Sequence, residues 1–180
     1  MHPWHDVYVD ETLIERAFPV IVEIPKGGSN KYELDKETGL LRLDRVLYSA
    51  VFYPANYGFI PRTFCDDGDP LDALVLGEPV HPLTMIHARA IAVMRMRDDK
   101  GIDDKIIAVS THDPAVSDYT RADQLPPHTL RQIQRFFQDY KVLEQKQVVI
   151  EDPLGAEEAL RVVREALELY RKLRRGELHS

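Results

Sequence analysis

Asp67-Gly68-Asp69-Pro70-Leu71-Asp72-Ala73-Leu74-Val75-Leu76 is the stretch on which the fold reading turns. Gly68 and Pro70 predict a sharp turn and not a helix. The run Ala73–Leu76 is apolar, β-rich and short enough for a buried strand. Three carboxylates therefore sit at the rigid lip of a strand, aimed into one small volume. Hard divalent cations bind oxygen ligands held in this way. A plain surface turn uses the same residue types, so the stretch alone leaves both readings open. The spacing is not that of an EF-hand loop.

Working outward, the chain of 180 residues is expected to form one domain, 1–180, long enough for a full core. No apolar run approaches ~18 residues, so no membrane span is expected. Met1 to Asp6 shows no secretory signal. Cys65 is the single cysteine, so no internal disulfide can form, and its default reading is a buried, inert thiol. These features predict a cytoplasmic protein. The 23 basic and 30 acidic residues give a formal charge of −7, which argues against a nucleic-acid binder. An acidic protein can still bind an anion when metal ions lie between them.

Phe18 to Pro25 predicts a strand with one charge, Glu23, and its pattern alone favours exposure of that acid to water. Lys31–Leu34 and Leu40–Leu43 flank a Gly-containing turn and predict a hairpin. Lys31 and Glu33 share a face. Val51 to Pro61 is aromatic and broken by Pro and Gly, and predicts a kinked path and not a regular element. Met85 to Arg97 alternates as one long, bent strand, followed by a turn at 98–101 and a strand at 102–109. Asp103 and Lys105 share one face of that strand and Asp104 takes the other. A second acid cluster thus stands at the mouth of a second strand. The period then changes. Pro127 to Glu144 and Gly155 to Arg175 both predict helices. The His residues show no metal-ligand spacing. No P-loop, Rossmann or nucleophile-elbow motif is present.

The acidic turn resembles the Asp-x-Asp-Pro-x-Asp signature of the soluble family I inorganic pyrophosphatases. Glu23-Ile24-Pro25, Lys31-Tyr32-Glu33, Asp44-Arg45, Phe52-Tyr53-Pro54-x-Asn56-Tyr57-Gly58 and Phe136-Phe137-x-x-Tyr140-Lys141 follow in the family's order. The resemblance runs from about Val20 to about Lys141 and thins beyond, where the last helix offers no site residue. It points to members of bacterial type. It implies an α+β, mainly β fold, a twisted OB-like five-stranded β-barrel with two C-terminal helices packed outside. It also implies Mg²⁺-dependent hydrolysis of inorganic diphosphate to two phosphates, by in-line attack of a metal-bound hydroxide.

The resemblance assigns roles residue by residue. Asp67, Asp72, Asp98 and Asp103 resemble metal ligands, with Glu23 and Glu33 holding waters and further metal at the rim. Asp69 resembles the acid that takes the proton from water, and Tyr57 the hydroxyl that tunes its surroundings. Lys31, Arg45, Lys105, Tyr140 and Lys141 resemble the groups that grip phosphates, while Tyr53 is left to packing. About three to four Mg²⁺ per site are implied, with Mn²⁺ or Zn²⁺ as substitutes. So is a homohexamer. Seven named acids against four named bases leave the metal-free pocket at −3. About three divalent ions would bring it to about +3, suited to diphosphate. Asp98 keeps the family's spacing to Asp103, and Asp99 is the ligand if the turn shifts by one. Two other readings stand beside this one. They are a broader metal-dependent phosphohydrolase acting on nucleotides or polyphosphate, and a non-enzymatic OB-type binding module.

Overall fold

The computed structural model describes residues 1–99 and 101–178. Lys100 of the expected turn, and His179 and Ser180, lie outside the described residues. The strands are β1 (Phe18–Ile24), β2 (Asn30–Leu34), β3 (Leu41–Val46), β4 (Asn56–Phe59), β5 (Asp72–Leu76), β6 (Met85–Asp98) and β7 (Gly101–Ser110). Helix α1 (Pro127–Leu143) follows, then short strands β8 (Val149–Ile150) and β9 (Leu154–Gly155), then α2 (Ala156–Arg174).

Five strands close into a ring in the order β1-β4-β5-β7-β6, and β6 pairs back onto β1. All neighbours are antiparallel except β5 and β7. The expected five-stranded barrel is therefore present, with two helices against it. β6 can serve two partners because it is long and bent. Its first residues pair with β1, and a register shift between Ala90 and Ala92 marks the bend. β8 and β9 pair with its far half. The β2–β3 hairpin stands apart as a second, two-stranded sheet.

β5 is buried on both faces, which explains its unbroken apolar run. Ala73 and Val75 join a cluster with Val162, Val163 and Ala166 of α2. Leu74 and Leu76 join a second cluster with Ile133, Phe136 and Phe137 of α1. The two faces of β5 thus feed two separate clusters, one shared with each helix. A third cluster ties Trp4 to Leu34, Phe59, Phe64 and Tyr170.

The segment 51–61 departs from expectation. Residues Asn56–Phe59 form a regular strand between β1 and β5. Pro54 precedes that strand, so it breaks no ladder. Gly58 lies inside it because β1 passes too close for a side chain. A Cβ there would fall 1.9 Å from Ile21 O. Proline and glycine were boundary and close-contact residues here, not breakers.

Candidate active site

β5 and β7 run parallel with Asp72 opposite Lys105. That register builds the centre of the site. Lys105 is 6 % exposed. Its Nζ forms a short ion pair with Asp72, lies 3.1 Å from Asp103 Oδ2 and donates to Tyr57 Oη at 3.1 Å. The rings of Tyr57 and Phe137 flank the ammonium, with centroids 5.5 and 5.7 Å away. Burial opposes the charge on Lys105. Asp72, Tyr57 and Asp103 outweigh that and hold it well above the usual lysine range.

These groups open onto a cavity of about 1080 Å³. Eleven of the thirteen sequence-assigned residues line it. Asp67 and Asp69 enter from the acidic turn, where Asp69 N donates to Asp67 Oδ1 at 3.0 Å. Glu23 enters from β1, Lys31 and Glu33 from β2, and Tyr140 and Lys141 from α1. Lys31 Nζ sits 2.5 Å from Glu33 and 3.2 Å from Asp44. The expected pair on one face of β2 is thus present.

Glu23 overturns the exposed reading. It is 8 % exposed, and its Oε1 accepts from Leu34 N at 2.8 Å. All seven residues of β1 are buried, so the strand has no water face to offer it. Burial, with Asp72, Glu33 and Asp69 nearby, pushes Glu23 up to about 8. Burial and neighbouring acids also raise Asp67. Burial and Asp103 raise Asp72 against the pull of Lys105. Tyr57 is raised as well, by burial and then by Asp72.

Two assigned residues are not brought into the cavity wall. Arg45 donates to Tyr140 Oη at 2.8 Å and is paired closely with Glu144. Asp98 lies opposite Gly101 at the end of β6, while Asp103 pairs with Met96. Asp98 is therefore two residues, roughly 7 Å, further along the same sheet face. It lines a neighbouring groove together with Asp99. Asp104 pairs bidentately with Arg95 at 2.8 and 3.0 Å, on the opposite face as expected. Tyr53 packs on Tyr57 and Phe136, consistent with packing. Cys65 is half-buried, and burial followed by the nearby acids pushes its thiol up.

Sequence reasoning missed two residues of this neighbourhood. Glu144 lines the cavity and lies 4.0 Å from Lys141 and 3.7 Å from Lys146, besides holding Arg45. Its i,i+3 spacing from Lys141 on a helix was a usable signal. Lys36 reaches Asp69 from the hairpin turn, and no local pattern foretells that contact. Trp4, His5 and Arg174 also reach the wall, from the two ends of the chain.

Among the described residues, no three His, Cys, Asp or Glu side chains stand close enough to hold a metal as they are. The donor set still fits a hard cation. Two carboxylates already converge on one ammonium, which stands in for a positive ion. Three acids in the cavity are pushed up first by burial and then by neighbouring carboxylates, and added cations would relieve that repulsion.

The site therefore joins carboxylates suited to hard cations with lysines and tyrosines suited to an oxyanion, on an OB-like barrel. The family model described as inorganic pyrophosphatase matches residues 20–171. The chain therefore belongs to the inorganic pyrophosphatase family. The match carries on through most of α2, beyond Lys141 where the motifs thin. The chain is 52 % identical to soluble inorganic pyrophosphatase 2 of Chlamydomonas reinhardtii, over 95 % of this chain and 89 % of that protein. It is 51 % identical to soluble inorganic pyrophosphatase 1 of Arabidopsis thaliana, over 94 % and 80 %. Among solved structures, the inorganic pyrophosphatase of Helicobacter pylori superposes with a TM-score of 0.86 at 41 % identity, covering 92 % of this chain and 99 % of that one.

Proposed function

We propose that this protein hydrolyses inorganic diphosphate to two phosphates in the cavity around Lys105. The convergence of Asp72 and Asp103 on Lys105 Nζ, in a chain of this family, carries the reading. Asp67, Asp72 and Asp103 would hold divalent cations, with Glu23 and Glu33 at the rim and Asp98 further out along β6. An all-oxygen donor set suits Mg²⁺ first, about three to four ions, with Mn²⁺ or Zn²⁺ as substitutes. Bound there, Mg²⁺ would neutralise the diphosphate and acidify the attacking water.

The chain's own residues do the rest. Lys31, Lys105, Tyr140 and Lys141 bind phosphate oxygens from the wall. Arg45 joins them by turning away from Glu144. Asp69 takes the proton from the attacking water, which requires an acceptor within hydrogen-bond reach. Tyr57 holds Lys105 Nζ in place beside Asp72, so the charge at the point of attack is fixed before substrate arrives.

The compact bacterial type fits the near-complete coverage of the Helicobacter pylori chain, although the plant and algal relatives share more identity. In this reading residues 1–180 act as one cytoplasmic domain that binds neither nucleic acid nor membrane. No described helix is long and apolar enough to cross a membrane. Exposed Leu43, Val46, Tyr48 and Phe52 would serve subunit contacts in a homohexamer.

Phosphate release from diphosphate with Mg²⁺, wild type against Asp69→Asn, tests the reading. Release by the wild type and its loss in the variant are expected. No release by the wild type refutes the function, and full activity in the variant refutes the role of Asp69.

A further inference from the structure

The segment Leu34–Lys36 donates to two carboxylates of the site. Leu34 N donates to Glu23 Oε1 at 2.8 Å. Two residues on, Lys36 Nζ donates to Asp69 Oδ1 at 2.7 Å and to Gly68 O at 3.0 Å. The second bond ties the ammonium to the backbone of the acidic turn as well as to its side chain. Among the described residues, Lys36 is the one donor to the Asp69 carboxylate.

The turn that carries Lys36 is itself stiff. Asp35 Oδ1 accepts from Thr38 N at 2.8 Å, Thr38 Oγ1 at 2.8 Å and Glu37 N at 3.2 Å. Gly39 closes the turn at φ +73°, and its N–H donates to Asp35 O at 2.8 Å. The N-terminal residues brace it from outside. A His2 ring nitrogen lies 3.0 Å from Lys36 O, and a Cβ on Gly39 would meet His2 and Pro3 at 3.2 Å. The lysine thus projects from a fixed base.

The pair is a poor device for stability. The side chains of Lys36 and Asp69 are 44 % and 57 % exposed, and such pairs add little to folding. It is a good device for orientation. An exposed aspartate at a turn otherwise rotates about χ1 among several wells.

We propose that Lys36 is a positioning residue for the hydrolysis. It holds Asp69 Oδ1, and so leaves Oδ2 turned to accept the proton of the attacking water. The proposal rests on the reading of Asp69 as the proton acceptor. The proton moves from water to Oδ2, and Lys36 keeps its own.

The test measures kcat and KM for diphosphate, with saturating Mg²⁺, in wild type, Lys36→Gln, Lys36→Arg, Asp69→Asn and the Lys36→Gln/Asp69→Asn double variant. In Lys36→Gln, kcat should fall about tenfold with KM within about twofold of wild type. Lys36→Arg should restore most of that loss. The double variant should be no slower than Asp69→Asn alone, because Lys36 acts through Asp69. A crystal structure of metal-free Lys36→Gln should show Asp69 in more than one χ1 rotamer. An unchanged kcat in Lys36→Gln, a rise in KM alone, additive losses in the double variant, or a single wild-type rotamer would each overturn the proposal. If Asp69→Asn keeps full activity, the reading of Asp69 falls first and the proposal with it. If Asp69→Asn is dead and Lys36→Gln is normal, the proposal falls alone.

Discussion

Replacing Gly58 by alanine should disable this protein by opening its barrel, without touching its chemistry. The new Cβ would lie 1.9 Å from Ile21 O, 2.8 Å from Ile21 C and 2.9 Å from Val22 Cα. All three atoms belong to the backbone of β1, so no rotamer change relieves the contact. Non-bonded carbon contacts settle near roughly 3.5 Å, so β1 and β4 must part by more than about 1 Å. Overpacking of this kind costs ~1–3 kcal/mol. Loss of about two ladder hydrogen bonds adds ~1 kcal/mol each. The total, ~3–5 kcal/mol, is a large share of the ~5–15 kcal/mol that holds a domain folded. Tm should fall by about 6–20 °C. Urea denaturation followed by circular dichroism would measure the midpoint shift, with phosphate release measured in parallel. Activity should fall too, because Gly58 pairs with Ala73 and Phe59 with Asp72 on the strand that carries the site. A variant within about 1 kcal/mol of wild type would refute the close-approach argument.

Glu23 makes stability depend on pH when metal is absent. Its native value of about 8 lies above the ordinary 4.5, so the folded chain holds a proton that the unfolded chain has lost in that window. The contribution of Glu23 to stability in chelator should be fully present below about pH 4.5, decline as pH rises to about 8, and level off above. Glu23→Gln should flatten the decline, and an identical decline in that variant, measured by denaturant midpoints, would contradict the assignment. Removal of metal should also collapse diphosphate affinity, since six of the assigned acids then face three of the assigned bases across the cavity wall. Equal affinity by calorimetry in chelator and in Mg²⁺ would sink that charge argument.

Local pattern carried much of the fold. The apolar run of β5, the alternation of β6 and the period change into α1 and α2 were legible because each is set by neighbours a few residues apart. The pairing of Lys31 with Glu33, and the opposite facing of Asp104, followed from strand alternation alone. Segment 51–61 misled because Pro54 and Gly58 punctuate it. Only the nearness of β1 explains why a glycine belongs in β4.

The residue types of the site, and most of its members, were determined by the sequence: acids on turns and strand mouths, cations and tyrosines in a fixed order. Tertiary structure alone decided what each of them meets. Ring closure joins β1 to β6, and with every residue of β1 buried, Glu23 turns to the cavity and not to an open sheet face. Arg45 finds Glu144 from 99 residues away, and Lys36 finds Asp69 from 33. Asp98 keeps the same sheet face as Asp103 but stands two residues further along it, in the neighbouring groove, and only the pairing of β6 with β7 decides that. Contacts between distant segments depend on how strands close and pack. No local period encodes that, so the acidic turn could be recognised from its residues while the lysine that holds it could not.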